Sequence, residues 1–179
     1  MKVEPVLRDQ IVAAIPNLRA YAYSLTYNWD RADDFVQDAL VRAWGKLDQF
    51  EPGTNLHAWL FTILRNVIYS EHRRRKYEVE DVDGAYAARL RTHADQPSHL
   101  DFEDFRNALA YLTPSQREAL LLVAAEGLSY EEAAEVCGVA LGTIKSRVYR
   151  AREQLTQLLA VDAVEDIGPD RITRAALQR

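Results

Sequence analysis

The chain has 179 residues and is 48% hydrophobic, which supplies enough apolar material for helical cores and sets it apart from disordered polypeptides. Its 22 lysines and arginines against 27 aspartates and glutamates leave a net charge of −5, which argues against a nucleic-acid binder held by an overall positive field and for binding that depends on a partner. A single cysteine, Cys137, excludes a disulfide framework and a thiolate metal cluster and fits a reducing cytoplasm; no apolar run nears the roughly eighteen residues of a membrane span, and the N-terminus lacks an apolar signal segment.

Between Ile11 and Phe50 apolar residues recur at helical spacing, with Pro16 placed near a helix start and Asn28-Trp29-Asp30 as a turn. A second helix is predicted over about Arg31 to Leu47, with Val36, Leu40, Ala43, Trp44 and Leu47 on its inner face and Asp33, Asp34, Gln37 and Asp38 outside. Glu51-Pro52-Gly53-Thr54-Asn55 breaks regular structure, and a third helix begins near Leu56. Its inner stripe is Leu56, Trp59, Leu60, Ile63, Leu64, Val67 and Ile68; Thr62, Asn66, Ser70 and Arg73 line another face, which ends in Arg73-Arg74-Arg75-Lys76.

Composition then shifts. Residues 1–76 hold eleven cations against nine acids, residues 77–104 hold two against eight, and residues 105–179 hold nine against ten. The acidic segment 77–104 reads as a linker, with a short helix from Gly84 to Arg91, between a first domain (1–76) and a second (105–165) followed by a tail (166–179). The second domain opens with LDFEDFRNALAYL and a T-x-x-Q capping box, Thr113 to Gln116, with proline at the first helical position; Leu120 to Ala125 is a buried supporting helix. No repeat and no alternating strand pattern occurs, so the expected fold is all-α, two small helical domains joined by the acidic linker.

The most informative stretch is LSYEEAAEVCGVALGTIKSRVYRARE, Leu128 to Glu153. Ser129 and Glu132 make an S-x-x-E capping box, Gly138 suits the sharp turn, and Ala134, Gly138, Val139, Ile144 and Val148 fall where two helices must touch. The second helix presents Lys145, Arg147, Arg150 and Arg152, interleaved with Thr143, Ser146 and Tyr149, and no acid before Glu153. These side chains hold phosphates and reach base edges in a major groove, so the unit is predicted to be a DNA-reading helix-turn-helix.

Three segments together resemble the extracytoplasmic-function class of bacterial RNA polymerase sigma factors. RADDFVQDALVRAW resembles the region that docks on the polymerase clamp, FEPGTNLHAWLFTILRNVIYSEHRRR the minus-ten recognition and melting region, and the Leu128–Glu153 stretch the minus-thirty-five reader. VEDVDGAYAARLRTHADQPSHLDFEDF and PGTNLHAWLFTILRN are similar to the EcfG group, which runs the general stress response of alphaproteobacteria. The resemblance implies partners: core RNA polymerase, promoter DNA, a NepR-type anti-sigma factor and a PhyR-type response regulator. It also implies a monomer outside the holoenzyme.

On that resemblance Asp34, Gln37 and Asp38 face polymerase, a role the residues alone do not separate from a solvated helix face. Asn66 matches a position that reads a flipped minus-ten base, for which an amide suits because it both donates and accepts. Trp59 belongs to the core stripe, whereas Phe61, off that stripe, is the candidate exposed aromatic contact. Arg65 is counted with the minus-ten contacts, although for Arg65 and His57 alike the residues leave DNA backbone and neighbouring loop equally open. Arg73 and Arg74, with Arg75 and Lys76, bind phosphates of the melted strand, terminate a helix at its negative dipole end, or do both. Lys145 and Arg150 are assigned to groove contacts, Arg147 and Arg152 to phosphates or local packing.

No catalyst is expected. His57, His72, His93 and His99 show no ligand spacing, and neither a nucleophile motif nor a phosphate-cradling glycine loop occurs, so no metal or cofactor is expected. A two-component output protein would carry strands and an acidic phosphorylation pocket before its helix-turn-helix, whereas this N-terminal half is helical throughout. A sigma-like interaction protein that titrates an anti-sigma factor stays as the alternative, although such a decoy has no need of the DNA-reading cations.

Overall fold

The computed structural model describes residues 5–78 and 107–159, with side chains over 6–75 and 107–158, and every regular element among them is helical. Helix α1 (Pro5–Thr26) buries Ile11, Ala14, Leu18, Tyr21 and Ala22 along one face. Pro16 lies inside it and not at its start. The hydrogen bond that proline forfeits would end on the carbonyl of Val12, and Val12 and Pro16 both sit on the exposed side, so the helix carries through.

Helix α2 (Trp29–Gly45) begins at Asn28, whose Oδ1 accepts from the Arg31 N–H at 2.9 Å. A 3₁₀ turn (Leu47–Gln49) and a loop with Gly53 at φ 94° lead to α3 (Leu56–Glu78). Asn55 caps α3, its Oδ1 accepting from the N–H groups of His57 at 3.0 Å and Ala58 at 3.3 Å. These three helices pack on one another as the first unit.

The second unit opens with a helical stretch over residues 107–111 and then α4 (Pro114–Leu120), which runs on as a π-helical segment (Leu121–Ala125). Thr113 and Gln116 form the full reciprocal capping box. Helices α5 (Tyr130–Cys137) and α6 (Leu141–Leu159) complete the helix-turn-helix: Ser129 and Glu132 cap α5 reciprocally, and Gly138 ends it in the left-handed conformation at φ 64°. Ile144, Val148, Ala151 and Leu155 turn inward and are at most 1% exposed. Cys137 is buried, and that burial together with the nearby Glu118 carboxylate pushes its thiol up to about 12, so it is an inert core residue.

The two units do not stand apart. α1 rests on α4 and α3 on α5, and their buried residues merge into one apolar cluster. Helix α3 continues through Glu78, past the anticipated boundary at 76. The rest of the acidic linker, its expected helix at Gly84 to Arg91, and the tail 166–179 lie outside the described residues.

Candidate nucleic-acid interface

Helix α6 presents its cations opposite the buried face. Lys145, Ser146, Tyr149 and Arg150 are exposed, and Thr143, Arg147 and Arg152 are half-buried beside them. Lys145 stands one turn before Tyr149 and Ser146 one turn before Arg150, so two columns run along the outer face. Among the described residues no ion pair engages these four cations, which leaves their charge available to an anion.

On α3, Asn66, Arg73 and Arg74 are exposed, while nothing is described of the Lys76 side chain. Glu71 accepts from Arg75 Nε at 2.9 Å, and that hydrogen bond holds its carboxyl below the usual range. Burial, followed by the positive charges of Arg31 and Arg75, pushes the nearby His72 down, favouring its neutral form.

Phe61 departs from expectation. It is 1% exposed, with its ring centroid 5.1 Å from that of Tyr21 and 6.5 Å from His57, so it is no surface aromatic. The reason is that α3 buries two faces rather than one. His57, Phe61, Arg65 and Tyr69 follow at four-residue intervals and form a column turned toward the second unit, next to the apolar stripe turned toward α1 and α2. Arg65, in the same column, donates from Nε to Glu118 Oε1 at 2.8 Å and lies over the Tyr69 ring at 4.3 Å. Trp59 is only half-buried, packed 5.4 Å from Phe50.

On α2, Asp34, Gln37 and Asp38 are exposed along one face. The same face continues through Val41, 73% exposed, and Trp44, 43% exposed. Trp44 was expected inside. The inward positions are Ala32, Phe35, Val36, Ala39 and Ala43, and counting the period from those alanines places residues 37, 41 and 44 outward together. Between α2 and α3 this face opens on a groove of about 430 Å³, whose lining alternates Arg31, Arg42 and Arg74 with Asp34, Asp38 and Glu71. Arg31 lies over the Phe35 ring at 5.5 Å.

Sequence reasoning missed the buried polar centre where the units meet. Glu118, 0% exposed, accepts from Tyr21 Oη at 2.8 Å, Arg65 Nε at 2.8 Å and Tyr69 Oη at 3.1 Å. Burial and the Glu118 charge raise Tyr21 well above its ordinary value and push Tyr69 up to about 12. Around it Asn17 Nδ2 donates to Glu126 at 2.8 Å, Asn55 Nδ2 to Glu132 at 2.8 Å, and Arg117 Nη1 to the Ser24 carbonyl at 2.8 Å. The lone sequence signal was an acid and an arginine, Arg117-Glu118, inside a helix that otherwise reads as core.

Among the described residues there is no cluster of metal-ligating side chains and no helix long and apolar enough to cross a membrane. Residues 11–77 match the Sigma-70 region 2 family and residues 102–155 the Sigma-70 region 4 family. The chain is 57% identical over 177 residues to the ECF RNA polymerase sigma factor EcfG of Rhodopseudomonas palustris, covering 99% of this chain and 98% of that one. It is similar to the sigma factor RpoE of Bartonella quintana, solved in complex with the anti-sigma factor NepR, with 51% identity and a TM-score of 0.76 over 87% of this chain and 98% of that one. CnrH, solved with the cytosolic domain of CnrY, matches at 27% identity and a TM-score of 0.60, over 88% of this chain and 89% of that one. With a region 2 built on α1 to α3 and a capped helix-turn-helix in region 4, the chain belongs to the ECF RNA polymerase sigma factors, next to EcfG.

Proposed function

We infer that this protein binds core RNA polymerase and directs it to the promoters of general stress response genes, in the cytoplasm, under the control of a NepR-type anti-sigma factor. It acts by recognition and not by catalysis. The observation that carries the reading is the unpaired cation face of α6, set on a capped helix-turn-helix in the same chain as a separate acidic and apolar face on α2. Asp34, Gln37 and Asp38 dock on polymerase, and Val41 and Trp44 extend that contact with apolar area. Thr143, Lys145, Ser146, Arg147, Tyr149, Arg150 and Arg152 serve the minus-thirty-five element. Asn66, Arg73 and Arg74 serve the minus-ten element, joined by Arg65 once Glu118 releases it; Phe61 supports α3 from within.

A phosphate-holding arginine strengthens every duplex alike, whereas a base-reading one discriminates at a single position. The net charge of −5 keeps the free chain from scanning DNA unaided, so promoter choice is expressed in the holoenzyme. The test is transcription by purified core polymerase on a stress promoter with and without the protein, beside a variant with Asp34, Gln37 and Asp38 all changed to alanine. The wild type is expected to confer promoter-specific initiation, and the triple variant to lose polymerase in a pull-down while keeping its helical circular dichroism. Binding to an anti-sigma factor with no promoter-specific transcription would instead identify a titrating decoy.

A further inference from the structure

We propose that Glu118 is an intramolecular latch, which holds region 4 closed on region 2 in the free protein and withholds Arg65 from DNA until the two regions part. The inference deepens the proposed function, since it takes Arg65 as a minus-ten contact.

The latch has a donor set supplied wholly from the other unit. Tyr21, Arg65 and Tyr69 lie 97, 53 and 49 residues from Glu118 in sequence and come from α1 and α3 alone. Inside the closed pair the carboxylate is 0% exposed and the Arg65 side chain 18% exposed. A buried carboxylate stripped of such donors is strongly unfavourable, so these bonds and the packing of the units stand or fall together.

Two of the remaining cross-unit bonds are of a kind that water replaces readily. Asn17 with Glu126 and Asn55 with Glu132 become hydrated on separation, whereas Arg117, 5% exposed, holds the Ser24 carbonyl from within the seam. The units also share apolar contact, their buried residues merging into one cluster, so an opened pair exposes apolar surface that a binding partner then covers. Phe61, in the same column as Arg65, sits edge-on to Tyr21 within region 2 and backs the seam from that side.

Geometry makes the closed pair unproductive on a promoter. Two elements about 25 base pairs apart are separated by roughly 85 Å along B-DNA. A single compact body of this length is only about 40 Å across. Closed, the protein cannot reach both; open, it frees Arg65 and the α3 column at the same moment. Closure and minus-ten contact therefore compete for one guanidinium.

The experiment uses the full chain without partners. Small-angle scattering of the wild type is expected to give the radius of gyration of one compact body, and Glu118→Ala to raise it roughly 1.5-fold as two half-mass bodies separate. Circular dichroism checks that helical content is kept. The paired variant Tyr21→Phe with Tyr69→Phe removes two donors without leaving Glu118 wholly unpaired, and is expected to shift the radius in the same direction. It decides the matter if Glu118→Ala loses helix. An extended wild type, or folded variants as compact as the wild type, overturns the latch. The tyrosine variant is also expected to bind core polymerase several-fold more tightly. Expansion in scattering with no polymerase binding by any form would leave the latch standing and sink the proposed function.

Discussion

Arg117 shows how one side chain ties distant backbone together. Its guanidinium donates to the carbonyls of Leu109 at 2.8 Å, Ala110 at 3.2 Å and Leu112 at 2.9 Å, closing the helical stretch before Thr113, and to Ser24 of α1 at 2.8 Å. It also lies over the Tyr27 ring at 4.7 Å. Tyr27 itself ends α1 at φ 51°, a left-handed conformation costing an L residue about 1–2 kcal/mol, and the arginine packed on its ring helps hold it there. Burial lowers the Arg117 pKa, yet a guanidinium stays charged throughout the working range. Its fork reaches four acceptors in fixed directions, which an ammonium on a flexible stem does not match. Arg117→Ala is expected to destabilise the protein by about 3 kcal/mol or more, and Arg117→Lys by an intermediate amount, because buried carbonyls lose their donors. Urea unfolding followed by circular dichroism measures both; a loss below about 1 kcal/mol for the alanine variant would mean those carbonyls find other partners.

At the scale of the element, local rules separate from tertiary ones. The capping boxes at Thr113 and Ser129, the left-handed Gly138 and the cation stripe of α6 were legible because each depends on residues within a turn or two of one another. The column His57, Phe61, Arg65, Tyr69 was not, since its meaning lies with Tyr21 and Glu118, far along the chain. Nor was the outward turn of Trp44, because its size suggested core while Ala32, Phe35, Val36, Ala39 and Ala43 already fill that face. The helix-turn-helix offers a clean separation of backbone from contact energy. A Cβ at Gly138 meets nothing within 4 Å, so Gly138→Ala costs only the left-handed penalty, about 1–2 kcal/mol. Ser129→Ala removes one cap acceptor, about 1 kcal/mol, while the Glu132 to Asn55 bond persists. Thermal melts of both variants check these values. On the reading helix, Arg150→Ala is expected to lose ~1–3 kcal/mol at one minus-thirty-five position, whereas Arg147→Ala weakens all sequences alike and lowers the salt slope by about one. Holoenzyme binding to promoter variants at several salt concentrations distinguishes them, and equal weakening everywhere by Arg150→Ala would reassign that residue to phosphate.

For the whole molecule, the balance between closed and open forms is linked to proton binding at the seam. Tyr21 and Tyr69 both donate to Glu118, and each needs its phenolic proton to do so. Burial raises both, Tyr69 to about 12 from an ordinary value near 10, so the closed state retains protons that an open or unfolded chain releases. A group whose folded pKa is raised contributes its full stabilisation below the unfolded value and loses it as pH climbs through the folded one. The closed pair is therefore expected to hold up to about pH 10 and to weaken progressively toward 12. Arginine stays charged across that window, so Arg65 alone remains bonded to Glu118 as the phenols ionise, and a negative phenolate beside a negative carboxylate then drives the units apart. Ultraviolet titration of phenolate should reveal tyrosines that ionise later than the rest of the nine, and scattering over the same range should show expansion. With Tyr21→Phe and Tyr69→Phe combined, the late phase should shrink to the share of Tyr27, whose phenol burial also raises, while helical content at neutral pH persists. A late phase of undiminished size in that variant would place the perturbed phenols elsewhere and detach alkaline opening from Glu118.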